Sequence, residues 1–583
     1  MARTVVGRRA EAAAVRERVR FEGLPLERLA LLAVGAVALA LRLWPLDHFS
    51  VDFQDEGVYW QSLKAMAAGQ PLFSVVFSSQ PPFFLAGLLP FYLLFGQTLV
   101  AARLGVAFYS LLGLAAVYYI GRATAGRWAG VLACALLAVD PLYLAESHTV
   151  QAEMPSEALA LAGVALAAVA VGRTGPPRRW RAAASGVALG LGVMTKLFDL
   201  GALVPAVLYL AAPLVATRAS AQEPSRQRDA SAAWRTVAPD LLLLALGFSA
   251  ACALTLAPFL SVRGLVYDQV VRFHQVAEQG SALGKHDWRD NVTLIRDTVS
   301  YYVSAPYLLL ALAGVILALW RRAWAIVPPL AWLVVSLGLL VHQQPLIWHH
   351  VVLLSPLLAI LGGAAPPLAR GPHPRPLRIG LSAPRSRQPT RLSRARERGA
   401  YVPAQKSSLL PGGRIGPNAG SAEPGDQSAW VGGEGLLTYA VLALAVISAL
   451  FGLRQSVEAN RSPVVSFAPA VPSPSAAVQL RMADALRVHT RPGEVVVTDG
   501  QYIAGLAGHA VLPQTVDTSW VRIKAGPRYF STHALEDLIV RDNVRTVLFA
   551  TGRLAVDAAF HRWVEQRYRK VASFGGDRAL YQK

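Results

Sequence analysis

Long apolar runs separated by short polar loops dominate the chain up to residue 453. About eleven of these runs approach the roughly 20 apolar residues that a helix needs to cross a bilayer. They lie near residues 28–45, 100–121, 127–145, 155–172, 182–197, 199–216, 239–260, 304–320, 324–341, 349–366 and 434–453. The pattern predicts an all-α polytopic membrane protein with about eleven transmembrane helices.

A further apolar run, residues 81–96, is short and contains Pro90. We expect it to form a re-entrant or interfacial helix in the first outer loop rather than a membrane span. With this assignment, loops rich in arginine, such as the one holding Arg122 and Arg127, alternate with loops that hold acids. Since arginine-rich loops face the cytoplasm, residues 1–27 are predicted to be cytoplasmic and the acidic loops to face outward.

Composition narrows the class of protein. Hydrophobic residues make up 54% of the chain and charged residues 16%, with a mean hydropathy of +0.39, which excludes an ordinary soluble multidomain protein. The formal charge of +20 comes from arginines dispersed in short loops, so we attribute it to topology and predict no nucleic-acid partner. Both cysteines, Cys134 and Cys252, lie in apolar runs and support neither a disulfide framework nor a cysteine zinc site.

Two segments depart from the membrane pattern. Residues 367–430 hold eleven Lys or Arg against three acids in a background rich in Pro, Gly and Ser, which predicts a disordered basic insertion. This insertion either is inert or binds anionic lipid or nucleic acid. It separates a transmembrane domain, residues 28–366, from the last transmembrane helix, residues 431–455.

Residues 456–583 are predicted to form a linker and a small extracytoplasmic α/β domain. The segments "EVVVTDG" and "VRTVLFAT" have the pattern of buried strands, and "RALYQK" of a closing strand. The segments "VQLRMADALRVH", "THALEDLIVRDN" and "DAAFHRWVEQRYRKV" have helical spacing. Asp499 follows the first strand, where we expect a carboxylate that caps a turn.

The first outer loop opens with an acidic stretch, "VDFQDEGVYW", that contains Asp52, Asp55 and Glu56. Carboxylates at membrane depth are costly unless they are paired or hydrated. A carboxylate whose proton affinity is raised by its neighbours suits a general base that deprotonates a hydroxyl nucleophile. The alternative is that these acids stabilise the first turn of an amphipathic helix.

A second outward loop, "LAESHTVQAEMPSEAL", offers His148 and Glu153, and "GVMTKLFDLG" holds Lys196 at the end of an apolar run. Glu153 could lie near Asp55 and hold an acceptor or a divalent cation, or it could cap the next helix. Lys196 could contact a phosphate or extend toward the membrane surface.

Two further segments carry candidate phosphate ligands. "WHHVVLLSP" contains His349 and His350, and consecutive side chains on a helix diverge by about 100°, so we expect one ring to point elsewhere and predict a phosphate or sugar contact rather than a histidine metal site. The loop at residues 261–291 is amphipathic and offers Arg263, Arg272, His274 and Lys285 to a lipid phosphate, unless it only anchors the chain in the interface.

These motifs resemble the integral-membrane glycosyltransferases of the GT-C class, and within it the family of protein O-mannosyltransferases and aminoarabinose transferases. The likeness rests on Asp55, Glu56 and Tyr59, on "SSQPPFFLAGLLPFYLLFGQTLVAARL", on "AEMPSEAL" and on "TKLFDLG", and it covers about residues 28–366 and the tail domain. The chain departs from the family pattern at three points. Glu153 stands where the family has Asp, Gln80 where it often has Lys, and "WHHVVLLSP" where an Arg-Tyr pair is common.

The resemblance implies a polyprenyl-phosphate sugar as donor and a hydroxyl acceptor, with inversion at the sugar and without a nucleotide. It implies that Asp55, beside Glu56, is the general base, and that Lys196, Arg103 or the two histidines stabilise the polyprenyl-phosphate leaving group. The acceptor is left open as protein, lipid or glycan, and a divalent cation is left open as cofactor. The implied location is a prokaryotic plasma membrane, with the site on the outer face. A transporter or lipid flippase is the alternative, because intramembrane charges also line transport paths.

Overall fold

The computed structural model describes residues 26–47, 53–171, 179–219, 227–279, 287–370, 428–461, 474–524 and 530–583. The predictions for residues 1–25, Asp52, Lys285 and most of the basic insertion lie outside the described residues. The fold is a helical bundle that carries a small α/β domain at one end, as the sequence predicts.

The helices of the first half follow the apolar runs. They are α1 Leu26–Leu43, α2 Phe53–Ala67, α3 Phe83–Leu94, α4 Leu99–Ala125, α5 Arg127–Ala138, α6 Pro141–Ser147, α7 Glu153–Val171, α8 Trp180–Val193 and α9 Leu203–Ala219. The second half of the bundle contains α10 Gln227–Leu256, α11 Arg263–Tyr267, α12 Phe273–Gln279, α13 Trp288–Tyr302, α14 Ala305–Trp320, α15 Val327–His342, α16 Ser355–Ala369 and α17 Ser428–Arg461. Short 3₁₀ helices at Leu197–Ala202 and Trp348–Leu354 precede α9 and α16.

Within the described residues, seven helical stretches are long and apolar enough to cross a membrane, or up to nine if each of two bent pairs is one span. The bent pairs are α5 with α6, at 64°, and α13 with α14, at 110°. The two remaining predicted spans are the charged α1 and the 14-residue α8. The chain is therefore a multi-pass membrane protein, and the number of eleven spans stays a prediction.

Glycines allow several of these helices to approach backbone to backbone. A methyl group at Gly186 of α8 would lie 2.8 Å from the backbone nitrogen of Phe248 on α10. At Gly314 of α14, it would lie 2.9 Å from the carbonyl carbon of Leu361 on α16. Close contact of this kind drives helix association in lipid, where the hydrophobic effect gives little help.

The length of helix α3 agrees with the prediction that residues 81–96 form a short helix rather than a membrane span. It has 12 residues with Pro90 inside it, about 18 Å at the usual rise, so it cannot span a bilayer alone. The backbone N–H of Phe83 donates to the carbonyl of Met194, 2.9 Å away, which ties the start of α3 to the end of α8.

The C-terminal domain has a four-stranded sheet in the order β1-β2-β4-β3. Its strands are β1 Val496–Thr498, β2 Thr546–Phe549, β3 Arg569–Ser573 and β4 Ala579–Gln582, and its helices are α18 Ala476–His489, α19 Gln501–Leu506, α20 Trp520–Lys524, α21 Thr532–Arg541 and α22 Ala558–Arg567. β1 and β2 are parallel, whereas β4 is antiparallel to both β2 and β3. Asp499 accepts from the backbone of Ala550 and Leu554, so it caps the turn after β2 as expected.

Candidate active site

Asp55 and Glu56 lie in the first turn of α2. Glu56 is fully buried and forms a bidentate ion pair with Arg103 of α4, with N–O distances of 2.8 and 2.6 Å. Its Oε1 also accepts from the backbone N–H of Val150, and Arg103 donates to the carbonyl of Leu46. Glu56 thus joins α2, α4 and the loop after α6.

This geometry places Glu56 and Arg103 against each other rather than around a ligand. Both side chains have zero exposed surface, and each satisfies the charge of its partner. A bidentate carboxylate–guanidinium pair is a strong, directional contact that fixes the elements that carry it. The contacts of this pair are those of a structural ion pair. Asp55, the preceding residue in the chain, is partly exposed.

Three polar groups converge on a single oxygen of Glu153, at the first residue of α7. Lys196 Nζ forms an ion pair with Glu153 Oε1. The Nε2 atoms of His349 and His350 each lie 3.3 Å from the same oxygen. All four side chains are buried or nearly so, which makes this a buried polar cluster within the bundle.

Local structure brings these residues together. Lys196 directly precedes the 3₁₀ helix Leu197–Ala202 with extended backbone angles, at the end of α8. The hydroxyl oxygen of Ser156 on α7 lies 2.9 Å from the carbonyl oxygen of Gly192, so α7 lies close to the end of α8. The histidines lie in the first turn of the 3₁₀ helix Trp348–Leu354.

The expectation that one histidine ring would point elsewhere is wrong. The two rings are nearly perpendicular, with centroids 4.7 Å apart, and Glu153 Oε1 lies within reach of both. A neighbouring pair on a helix can converge when the target sits between the two side-chain directions and each ring turns about its own χ angles. The sequence gives the divergence of the Cβ atoms but not the position of the acceptor.

Glu153, His349 and His350 also have the composition of a metal site, with ligand atoms within 4.8 Å of one another. The hydrogen bonds argue for a different use. His350 Nδ1 accepts from the backbone N–H of Ile347 at 3.3 Å, so the ring proton lies on Nε2, which then donates to Glu153. A metal at His350 Nε2 would have to displace that proton and the Lys196 ammonium.

Tyr59 of α2 is within electrostatic range of both Asp55 and Glu153. Burial raises the pKa of the Tyr59 hydroxyl well above its usual value, and the nearby charges of Asp55 and of Glu153 raise it further. The hydroxyl accepts a hydrogen bond from Gln80, 3.3 Å away. Both carboxylates are thus within electrostatic range of one buried phenol, and their convergence on an acceptor stays a prediction.

The other predicted residues lie at different distances from this centre. His274 is within electrostatic range of His350, and its Nε2 lies 3.0 Å from the carbonyl oxygen of Ser79. Arg272 is about two-fifths exposed and pairs with Asp268, 3.7 Å away. His148 is buried at the end of α6.

Two further buried acids near Glu153, Glu157 and Asp199, were not predicted from the sequence as part of the site. Glu157, one turn further along α7, interacts with Asp199, which accepts from the hydroxyl of Ser156. Both residues are buried. The signal was available, because Glu153 and Glu157 are four residues apart and must share a face of a helix.

Comparison with known proteins agrees with this architecture. The crystal structure of ArnT from Cupriavidus metallidurans in the apo state has a TM-score of 0.55 and 16% identity, with 94% of this chain and 97% of that chain covered. The same protein bound to undecaprenyl phosphate matches with the same values. The chain has the GT-C fold.

A family model also matches part of the chain and confirms the sequence resemblance there. The family model for dolichyl-phosphate-mannose-protein mannosyltransferase matches residues 79–225, which contain Arg103, Glu153 and Lys196. The apo Archaeoglobus fulgidus oligosaccharyltransferase aligns over 91% of this chain and 70% of its own, with 13% identity and a TM-score of 0.48. No curated protein matches the chain.

Proposed function

We propose that this protein transfers a sugar from a polyprenyl-phosphate donor to a hydroxyl acceptor, with inversion, on the extracytoplasmic side of a plasma membrane. The observation that carries the proposal is the buried cluster that Lys196, His349 and His350 form on Glu153. Asp55 and Glu153 both act electrostatically on Tyr59. The proposal thus assigns the base and the phosphate donors to this group of residues. This is what a lipid-phosphate donor and a polar acceptor require.

Asp55 is the proposed general base. Glu56 is bound to Arg103 and Val150, so we leave this pair out of the chemistry, although the sequence offered both residues. The acceptor hydroxyl gives its proton to Asp55 while its oxygen bonds to the anomeric carbon. The bond from that carbon to the phosphate oxygen breaks, and polyprenyl phosphate leaves with the electron pair.

Lys196, His349 and His350 are the proposed donors to the phosphate that leaves. Each already donates toward, or lies against, Glu153 Oε1, so these groups are held in place before a ligand arrives. Donors fixed in a site that excludes water stabilise developing charge without reorganising. Arg272, which is partly exposed, is a further proposed phosphate contact, and Glu153 is proposed to orient the donors that bind it.

The test uses the purified protein in lipid nanodiscs, offered a panel of radiolabelled polyprenyl-phosphate sugars with membrane extract as acceptor. We expect the wild type to release polyprenyl phosphate, and Asp55→Asn to release it at least about 100-fold more slowly, because a positioned base contributes roughly 10²- to 10⁴-fold. Asp297→Asn, at an exposed site on α13, is the matched control and should be fully active.

Two results would refute the proposal. If the wild type consumes no donor, the protein is not a transferase of this class, and a transporter becomes the leading explanation. If Asp55→Asn releases polyprenyl phosphate as fast as the control, Asp55 is not the base.

A further inference from the structure

The C-terminal domain is not merely tethered to the membrane bundle, because it packs directly on the helix that carries Asp55. Residues of α2 spaced three or four apart, Gly57, Trp60, Gln61 and Lys64, face residues 501–511. We call this contact the α2–α19 interface. It lies on the same helix as Asp55, beginning two residues after it.

Gln61 is the polar centre of the α2–α19 interface. Its side chain is 1% exposed, and its amide nitrogen donates to the carbonyls of Gln501 and His509, each 3.2 Å away. Its amide oxygen accepts from the backbone N–H of Val511 at 3.3 Å. Both donors and the acceptor of one side chain are thus satisfied by the backbone of the C-terminal domain.

Two glycines, Gly57 and Gly505, allow α2 and α19 to approach each other closely. A methyl group at Gly57 would lie 2.8 Å from Cα of Tyr502, and one at Gly505 would lie 2.6 Å from the Trp60 ring. Each glycine therefore makes room for an aromatic residue from the opposite side. The atoms that face the two glycines belong to the backbone and Cβ of Tyr502 and to the rigid ring of Trp60, so the close approach of α2 and α19 fixes their relative position.

A second contact holds the loop that follows α2. The guanidinium carbon of Arg522 lies 4.2 Å from the centre of the Phe77 ring and 4.0 Å from that of Phe530. Arg522 also donates to the carbonyl of Asp517 at 2.6 Å, which fixes the guanidinium between the rings. The loop with Phe77 leads to Gln80, the residue that donates to Tyr59.

We propose that the α2–α19 interface positions Asp55 for catalysis, with Gln61 as a positioning residue and the C-terminal domain as part of the active site. The link to catalysis rests on the proposed function, whereas the mechanical link between the domain and α2 does not. A base must be held to within a fraction of an ångström, and a misplacement of about 1 Å can cost roughly 100-fold in rate.

The experiment compares Gln61→Ala with Gln566→Ala, an exposed glutamine on α22, in the full chain in nanodiscs. Hydrogen exchange of the α2 amides tests the mechanical link directly. We expect Gln61→Ala to speed exchange in α2 while the strands of the C-terminal domain stay protected, and Gln566→Ala to change neither. Unchanged exchange in α2 would overturn the proposal, whatever the activity is.

Turnover tests the link to Asp55. We expect Gln61→Ala to lower kcat roughly 10- to 100-fold with KM for the donor unchanged. The same change made in Asp55→Asn should have no further effect, because there is no base left to position. An equal further loss in that background would show that Gln61 acts elsewhere.

Gly505→Ala provides an independent variant if Gln61→Ala fails to fold. Its control is Gly338→Ala, where an added methyl group would meet no atom within 4 Å. We expect faster exchange in α2 for Gly505→Ala alone, and equal exchange in the two variants would contradict the proposal. If the wild type consumes no donor, the proposed function falls, and exchange still decides whether the domain holds α2.

Discussion

Replacing Glu56 by Gln removes the carboxylate that pairs with the buried guanidinium of Arg103, without removing volume. Both side chains are fully buried, and Arg103 makes hydrogen bonds of 2.8 and 2.6 Å to that carboxylate. Breaking a buried ion pair from one side costs about 3–5 kcal/mol, because the remaining charge is uncompensated. Folded proteins have only about 5–15 kcal/mol of stability, so Glu56→Gln should lose a large part of it.

The assay is thermal unfolding in detergent, followed by size-exclusion chromatography of the protein that stays folded. Glu56→Gln should unfold several degrees below the wild type, and Asp55→Asn should unfold close to it. The double variant Glu56→Gln with Arg103→Met should recover part of the loss, since the unpaired charge is gone while Leu46 still lacks its donor.

One result would refute the architectural role of this ion pair. If Glu56→Gln has the same unfolding temperature as the wild type but has lost turnover, the carboxylate acts in the chemistry. The pair with Arg103 is then not needed for the stability of the fold. The Arg103→Met variant alone separates the two cases, because it should unfold early if the pair is architectural.

Three further results are expected. Lys196→Met should raise KM for the polyprenyl-phosphate donor about tenfold or more, and Lys196→Arg should restore part of it, measured as donor release at varied donor concentration. Turnover should survive EDTA, because Glu153 Oε1 already binds Lys196 and both histidines; a loss that zinc or magnesium restores would contradict this. Gly314→Ala, which forces a methyl group against Leu361, should destabilise the protein by about 1–3 kcal/mol in thermal unfolding, whereas Gly338→Ala should not.

Much of the fold could be predicted because long apolar runs in the sequence indicate membrane helices. Predicted spans such as residues 155–172 and 324–341 coincide with described helices. The prediction failed at β3, where "RKV" was expected to continue a helix. β3 is an edge strand that pairs with β4 alone and is largely exposed, so its sequence lacks the apolar alternation that indicates a strand.

The candidate site was harder to predict, because its contacts join distant parts of the chain. Asp55 and Glu56 are adjacent and chemically alike, and the contact that distinguishes Glu56 is with Arg103, 47 residues away. The convergence of His349 and His350 depends on where Glu153 lies, which no local pattern contains. The roles of loop residues are set by tertiary contacts that periodicity does not report.

The contact of Gln61 with the C-terminal domain also bears on biosynthesis. Gln61 and the carbonyl of Gln501 that it binds are 440 residues apart in the chain. At about 5–20 residues per second, translation reaches Gln501 roughly 20–90 s after Gln61 has been made. During that time the face of α2 that Gln61 occupies has no contact with the C-terminal domain. A chain that a nonsense mutation or a protease cuts short would insert its first helices and still lack this contact. Full-length synthesis is thereby a condition for completing the α2 surface.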